Sequence, residues 1–181
     1  MARGAGAAWG DLSVTISMYD ISVGVFSARL KALASVLTAA EQNAGERKID
    51  PQVFLTARLA PDMFALARQV QIATDHAKGA PSRLAGREVP KYEDNEASFA
   101  ELQARIAKTL DLLATFSAAD LEGSEDRTVE LRLGGREATL PGLQYLLHVA
   151  MPNFYFHITT AYDILRHNGV PLGKQTFLGN R

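Results

Sequence analysis

The stretch Pro152-Asn153-Phe154-Tyr155-Phe156-His157-Ile158-Thr159-Thr160-Ala161-Tyr162-Asp163-Ile164-Leu165-Arg166-His167-Asn168-Gly169 decides how this chain is read. Phe154, His157, Ala161, Ile164 and Leu165 recur at spacings of three and four, which places them on one buried stripe of a helix. Asn153 and His157 are four residues apart, so their side chains neighbour one another on that helix. A soluble helix normally keeps such groups in water, because a buried imidazole or amide is costly unless something bonds it. Asn168-Gly169 followed by Pro171 marks the helix end. Pro152 removes a backbone donor near its middle and predicts a kink or break there.

Upstream, Ile16, Tyr19, Val23, Phe26, Leu30, Leu33 and Leu37 are spaced 3, 4, 3, 4, 3, 4, a stripe that suits bundle packing near +20° and ends around Gly45-Glu46-Arg47-Lys48. Asp50-Pro51 predicts a short helix through about Arg58. Pro61-Asp62 predicts the start of a second long helix, with Met63, Leu66, Val70, Ala73 and Ala77 inward, His76 on the same side or its shoulder, and Pro81 as kink or end. Gly86 to Asn95 reads as loop. Asn95 or Ser98 can cap the third helix, Ser98 and Glu101 having capping-box spacing, and Phe99, Leu102, Ile106, Leu110, Leu113 and Phe116 form its apolar stripe. After a polar loop the period changes to two: Thr128 to Leu133, then Gly134-Gly135, then Arg136 to Leu140, a β-hairpin with a primed turn. One hairpin makes no sheet domain. The expected fold is all-α, a four-helix bundle with a small β-hairpin before the last helix.

The 181 residues suit one domain with a sizeable core, and 47% hydrophobic with 22% charged residues are ordinary globular values. Residues 1–13 are rich in Ala and Gly and lack the apolar core of a signal peptide, so they read as a flexible extension, with the bundle domain over 14–181. Nineteen basic against 20 acidic residues give a net charge of −1 with no basic stripe, so nucleic acid is not an expected partner. No unbroken run of about 18 apolar residues predicts a membrane span. Cysteine is absent, which removes disulfides, thiolate nucleophiles and Cys-based metal sites. Cytoplasmic residence is the expectation.

Four histidines are present, His76, His148, His157 and His167. His148 falls off the stripe, and His167 sits at a helix C-terminus, where an imidazolium is favoured. His76, from the second long helix, can meet His157 and Asn153 at one centre. Two imidazoles and a neutral amide fall short of the three strong ligands of a catalytic zinc site. Three readings therefore stay open: hydrogen-bonded structural groups, a divalent metal site (Zn or Ni), and a polar pocket for a small-molecule ligand with Tyr155 and Tyr162 as lining candidates. Consecutive aromatics cannot all face one way on a helix, so part of Phe154-Tyr155-Phe156 must look outward, which suggests a two-fold homodimer. No phosphate-binding loop surrounds Gly134-Gly135, and no Gly-x-Ser-x-Gly elbow exists.

The segments Met18-Tyr19-Asp20, Ala57 to Phe64, Gln69 to Ala73, Pro152 to Tyr162 and Leu165 to Val170 resemble the DUF1993 family of uncharacterised bacterial proteins. That family is similar to the wider DinB/YfiT-like superfamily of four-helix bundles, many of which dimerise and hold a divalent metal with three histidines. The resemblance covers about residues 14–181. It implies metal positions at His76, Asn153 and His157, and here the pattern departs, because position 153 is Asn where the superfamily has His. It implies no established reaction. Two functions follow as expectations: a ligand-binding bundle protein with a degenerate metal site, or a metal-dependent enzyme of thiol transferase or hydrolase type using the three residues.

Overall fold

The first apolar stripe winds into one long helix. In the computed structural model, which describes residues 16–179, a π-turn at Asp20–Gly24 leads into α1 (Val25–Arg47). The extension at 1–13 lies outside the described residues. Val23, Phe26, Leu30, Leu33 and Leu37 are buried as their spacing requires. Ile16 is not; it is 71% exposed, because it precedes the first helical turn and the helical phase does not reach it. By length and composition the helix Asp20–Arg47 would also pass for a membrane span, which the search for an unbroken apolar run did not anticipate. In this fold its apolar stripe faces the bundle core. Lys48, in the left-handed region at φ 54°, closes it.

Asp50 caps α2 (Pro51–Leu55) by accepting from the Gln52 N–H, and the helix stops three residues short of Arg58. The second long helix, α3 (Leu66–Leu84), begins later than Pro61 predicts. Pro61 instead occupies the second position of a turn closed by Met63 N–H donating to the Ala60 carbonyl, a position its fixed φ suits. Leu66 N–H then bonds the Ala57 carbonyl and starts the helix there. Pro81 neither ends nor breaks α3. Ser98 caps α4 (Phe99–Leu113) by accepting from Glu101 N–H at 3.2 Å, while Glu101 reaches back to Ala97 N–H. A 3₁₀ turn, Ala118–Leu121, interrupts the expected loop with its own Ser117–Asp120 capping box.

The hairpin pairs β1 (Thr128–Leu133) with β2 (Arg136–Pro141) antiparallel, turning through Gly134 and Gly135 at φ 55° and 82°. Both positive angles are those of a type I′ turn, which only glycine or Asn-like residues adopt freely. The last helix comes in three pieces: α5 (Gly142–Tyr145), a π-turn (Leu146–Ala150) and α6 (Met151–His167). The expected interruption at Pro152 is thus a widened turn just before it. Asn153 Nδ2 donates to the Val149 carbonyl at 2.6 Å within that turn. Gly169 at φ 86° ends α6, and a short α7 (Lys174–Leu178), not foreseen in the sequence, returns to α1, where Arg29 donates to the Phe177 and Leu178 carbonyls.

The four long helices form a ring in which α1 touches α4 and α6, and α3 touches the same two. The α3–α6 contact is the most extensive between helices. Apolar side chains from all four fill the centre, with Phe26 and Phe154 edge to face at 4.9 Å.

Candidate functional site

Along the α3–α6 seam, residues that point at one another carry polar side chains where core helices carry apolar ones. Gln69 continues the α3 stripe three residues after Leu66 and is 1% exposed. His76 follows seven residues later, half-buried. From α6, His157 enters 8% exposed. The rings of His76 and His157 lie 6.1 Å apart, 16° from parallel. The two imidazoles singled out in the sequence therefore meet.

One hydrogen bond sets the chemistry. His157 Nδ1 lies 2.7 Å from Gln69 Oε1. The amide cannot be turned round, because its Nε2 donates to the Phe64 carbonyl at 3.0 Å. The reversed amide would set two acceptor oxygens against each other. Gln69 therefore presents an oxygen, His157 Nδ1 carries the hydrogen, and Nε2 keeps its lone pair. Burial, then the neighbouring His76 and the charge of Arg68, lower the His157 pKa to about 4. Burial likewise lowers His76, with Arg83 and Lys78 adding to the effect and Asp75 opposing it. Near neutral pH the pair is uncharged, and His157 Nε2 offers a lone pair that can accept a hydrogen bond or a cation.

Asn153 sits one turn before His157 and is exposed. One of its amide N–H groups donates to the Val149 carbonyl, which leaves the other N–H and Oδ1 for any further partner. Tyr155 and Tyr162 do not join the imidazoles. Tyr155 lies about 200° round the helix from His157, and Tyr162 packs edge-on against Phe177 of α7 at 5.6 Å. His148 and His167 are exposed. Among Phe154-Tyr155-Phe156 only the first is buried; Tyr155 is 38% and Phe156 55% exposed. Phe156 meets the His157 ring edge-on at 5.2 Å, and exposed Phe64 carries Arg68 over its ring.

Three contributors were not singled out from the sequence. Gln69 left a legible signal, a polar residue on an apolar stripe. Arg83 and Tyr145 left none, since their meeting depends on how α3 and α5 pack; Arg83 Nη1 donates to Tyr145 Oη at 3.3 Å. An apolar groove of about 830 Å³ lies where residues 16–21 meet the 118–125 segment and Leu143 and Leu147. Neither histidine of the pair lines it.

Among the described residues no group of three or more His, Cys, Asp or Glu converges as metal ligands do. Two imidazoles on one tetrahedral ion have ring centres about 5 Å apart with metal–nitrogen distances near 2.0–2.1 Å. The observed pair is wider and nearly parallel. Metal-binding histidines orient themselves by donating their other ring N–H to an oxygen, as His157 Nδ1–H does to Gln69, but the donor set stops at two imidazoles and an amide oxygen. It does not fit a resident divalent ion.

The family model described as a domain of unknown function, DUF1993, matches residues 18–178. The crystal structure of a DinB family member protein from Shewanella denitrificans is 45% identical, covers 90% of this chain and 92% of its own, and superposes with a TM-score of 0.82. No curated protein matches the chain.

Proposed function

The chain belongs to the DUF1993 family and has a DinB-like fold, and from that premise we propose that it is a ligand-binding bundle protein whose α3–α6 seam holds a small molecule at a neutral histidine pair, on a metal site that has become degenerate. The observation that carries this reading is the Gln69–His157 bond, which fixes the unprotonated Nε2 beside His76. His157 Nε2 has no bond among the described residues and is not one of the buried polar atoms left unpaired, so it is open to a ligand or to water, with Phe156 edge-on against its ring.

Metal titration separates this reading from the metal-dependent enzyme. A tight ligand stabilises by about 2.7 kcal/mol at a hundredfold excess over its Kd. Added Zn²⁺ or Ni²⁺ is expected to move the melting temperature little. A clear rise that His157→Ala abolishes would overturn the degenerate-site reading and restore His76, Asn153 and His157 as ligands.

Acid stability supplies a second test. The folded pKa of His157, about 4, lies below the ordinary 6.5, so the unfolded chain binds the extra proton between those values. The stabilisation is complete above pH 6.5 and is lost as pH falls towards 4. Stability is expected to be about 2 kcal/mol lower at pH 5 than at pH 8 from this group. In His157→Gln, that part of the pH dependence should vanish in denaturant titrations.

The exposed Tyr155 and Phe156 also favour a homodimer through the outer side of α6. Light scattering is expected to return twice the 19.6 kDa chain mass, and Phe156→Glu to return one. A monomer at high concentration for the unaltered protein contradicts it.

A further inference from the structure

The seam holds one cation that no carboxylate among the described residues pairs, although the C-terminal end of α3 and the Tyr145 ring lie against it. Arg68 pairs with Asp94, Lys78 with Asp75, and Arg105 with three carboxylates. Arg83, half-buried, has no carboxylate partner among the described residues, and its guanidinium makes one hydrogen bond, to Tyr145 Oη. A guanidinium has five N–H donors, so most of its capacity is open.

Its present position depends on Gly79. The head folds back along α3 over that glycine: a Cβ there would lie 2.5 Å from Arg83 Nη1, with Val89 Cγ1 at 3.8 Å. A methyl group would push this flexible head aside and out of its present place. Gly79 is three residues past His76, about 4.5 Å along the axis, so the cation lies within reach of the imidazoles. Tyr145 is 3% exposed, and accepting from Arg83 leaves its own O–H free to donate. Burial raises the phenol pKa, against the pull of Arg83, so that proton stays in place. Asp75, the nearest acid on α3, is turned into Arg105 and Lys78.

We propose that Arg83 and Tyr145 form an oxyanion-recognition point for a small ligand that carries a carboxylate or phosphoryl group and lies along the seam toward His76 and His157. The fork of Arg83 and the Tyr145 O–H supply three donors to an oxyanion, the arrangement in which arginine surpasses lysine. The lone pair on His157 Nε2 supplies the complementary acceptor, so the ligand is an anion with a hydrogen-bond donor some way from its charge. This rests on the seam being a ligand pocket and narrows what enters it.

The test uses the full chain and two probes, benzoate and inorganic phosphate, followed by NMR at the Arg83 Nε–Hε and His76 ring signals. At least one probe is expected to shift both signals saturably; benzoate alone assigns a carboxylate, phosphate alone a phosphoryl group. Arg83→Gln is expected to weaken binding about ten- to a hundredfold, the loss of a charged hydrogen bond. Arg136→Gln, on the exposed hairpin, should leave it unchanged. Gly79→Ala keeps the charge and favours the helix, yet should weaken binding by pushing the guanidinium out of its place. No saturable shift with either probe, or the same affinity in Arg83→Gln, overturns the proposal. Saturable binding at Arg83 with His157 protonated on Nε2 would instead remove the histidine reading and leave the oxyanion point standing.

Discussion

Arg105→Ala is expected to lower stability by about 3–5 kcal/mol, the range for stripping one partner from a buried charged network. The Arg105 side chain is 2% exposed. Its Nε donates to Thr74 Oγ1 at 2.6 Å, Nη1 to the Glu93 carbonyl at 2.9 Å and Glu96 Oε1 at 3.0 Å, and Nη2 to Asp75 Oδ1 at 2.9 Å. Asp94 Oδ1 lies 3.0 Å from Nη2, and the Tyr92 ring stacks over the head at 5.2 Å. Truncation strips Glu96 of its cation, leaves Asp75 and Asp94 with only Lys78 and Arg68, and takes the donors from Thr74 Oγ1 and the Glu93 carbonyl. The network ties the segment before α4 to α3, and that segment includes Val89, which walls the Gly79 cradle. Loss of stability should therefore come with a weaker oxyanion probe response, whereas Arg105→Lys, which keeps the charge without the fork, should recover only part of both. Denaturant midpoints that move by less than about 1 kcal/mol, the value of an exposed pair, would show that the network is not what holds the segment.

Gly142→Ala is expected to cost about 3 kcal/mol or more, at or beyond the top of the usual range for overpacking a core. A Cβ at residue 142 would lie 1.9 Å from the Ser124 carbonyl oxygen and 2.8 Å from Leu84 Cδ2. A flexible side chain can step aside; a backbone carbonyl cannot without moving its chain. Here that chain is held, since Leu143 N–H bonds the Glu125 carbonyl at 2.9 Å. Gly142 joins the hairpin to the last helix and so fixes where Tyr145 faces Arg83. Gly134→Ala makes the comparison, because nothing lies within 4 Å of a Cβ there and only its φ of 55° opposes the change. A thermal scan should show the larger fall for Gly142→Ala; equal falls would mean that the 121–127 segment yields and does not set the register of α5.

Much of this was written in the periodicity. The stripe from Val23 to Leu37 buries the residues its spacing selects, that from Phe99 to Leu113 does so except at partly buried Leu110, and Gly134-Gly135 turns the hairpin. The start at Asp50-Pro51 and the Ser98–Glu101 capping box were legible as well, because a side chain bonding its own helix end is a local event. The meeting of His76 and His157 was legible too, since both fall on inward stripes of helices that a bundle brings together. What escaped depends on distant contacts. Pro61 belongs to a turn because Leu66 finds the Ala57 carbonyl. The π-turn before Pro152 reflects how α5 and α6 must both pack. Arg83 lies in the seam because Gly79 leaves room for it, and a glycine inside a helical pattern gives no sign of what will fill its space.

The central claim is that Gln69 holds His157 as the Nδ1–H tautomer and so turns the Nε2 lone pair into the seam. Long-range ¹H–¹⁵N correlation of the histidine rings near neutral pH reads this directly. The account requires a protonated Nδ1 and an unprotonated Nε2 on His157, unchanged on titration until the pH falls well below 6, and loss of that preference in Gln69→Ala. A ring protonated on Nε2, or an imidazolium already formed at pH 6, would contradict it.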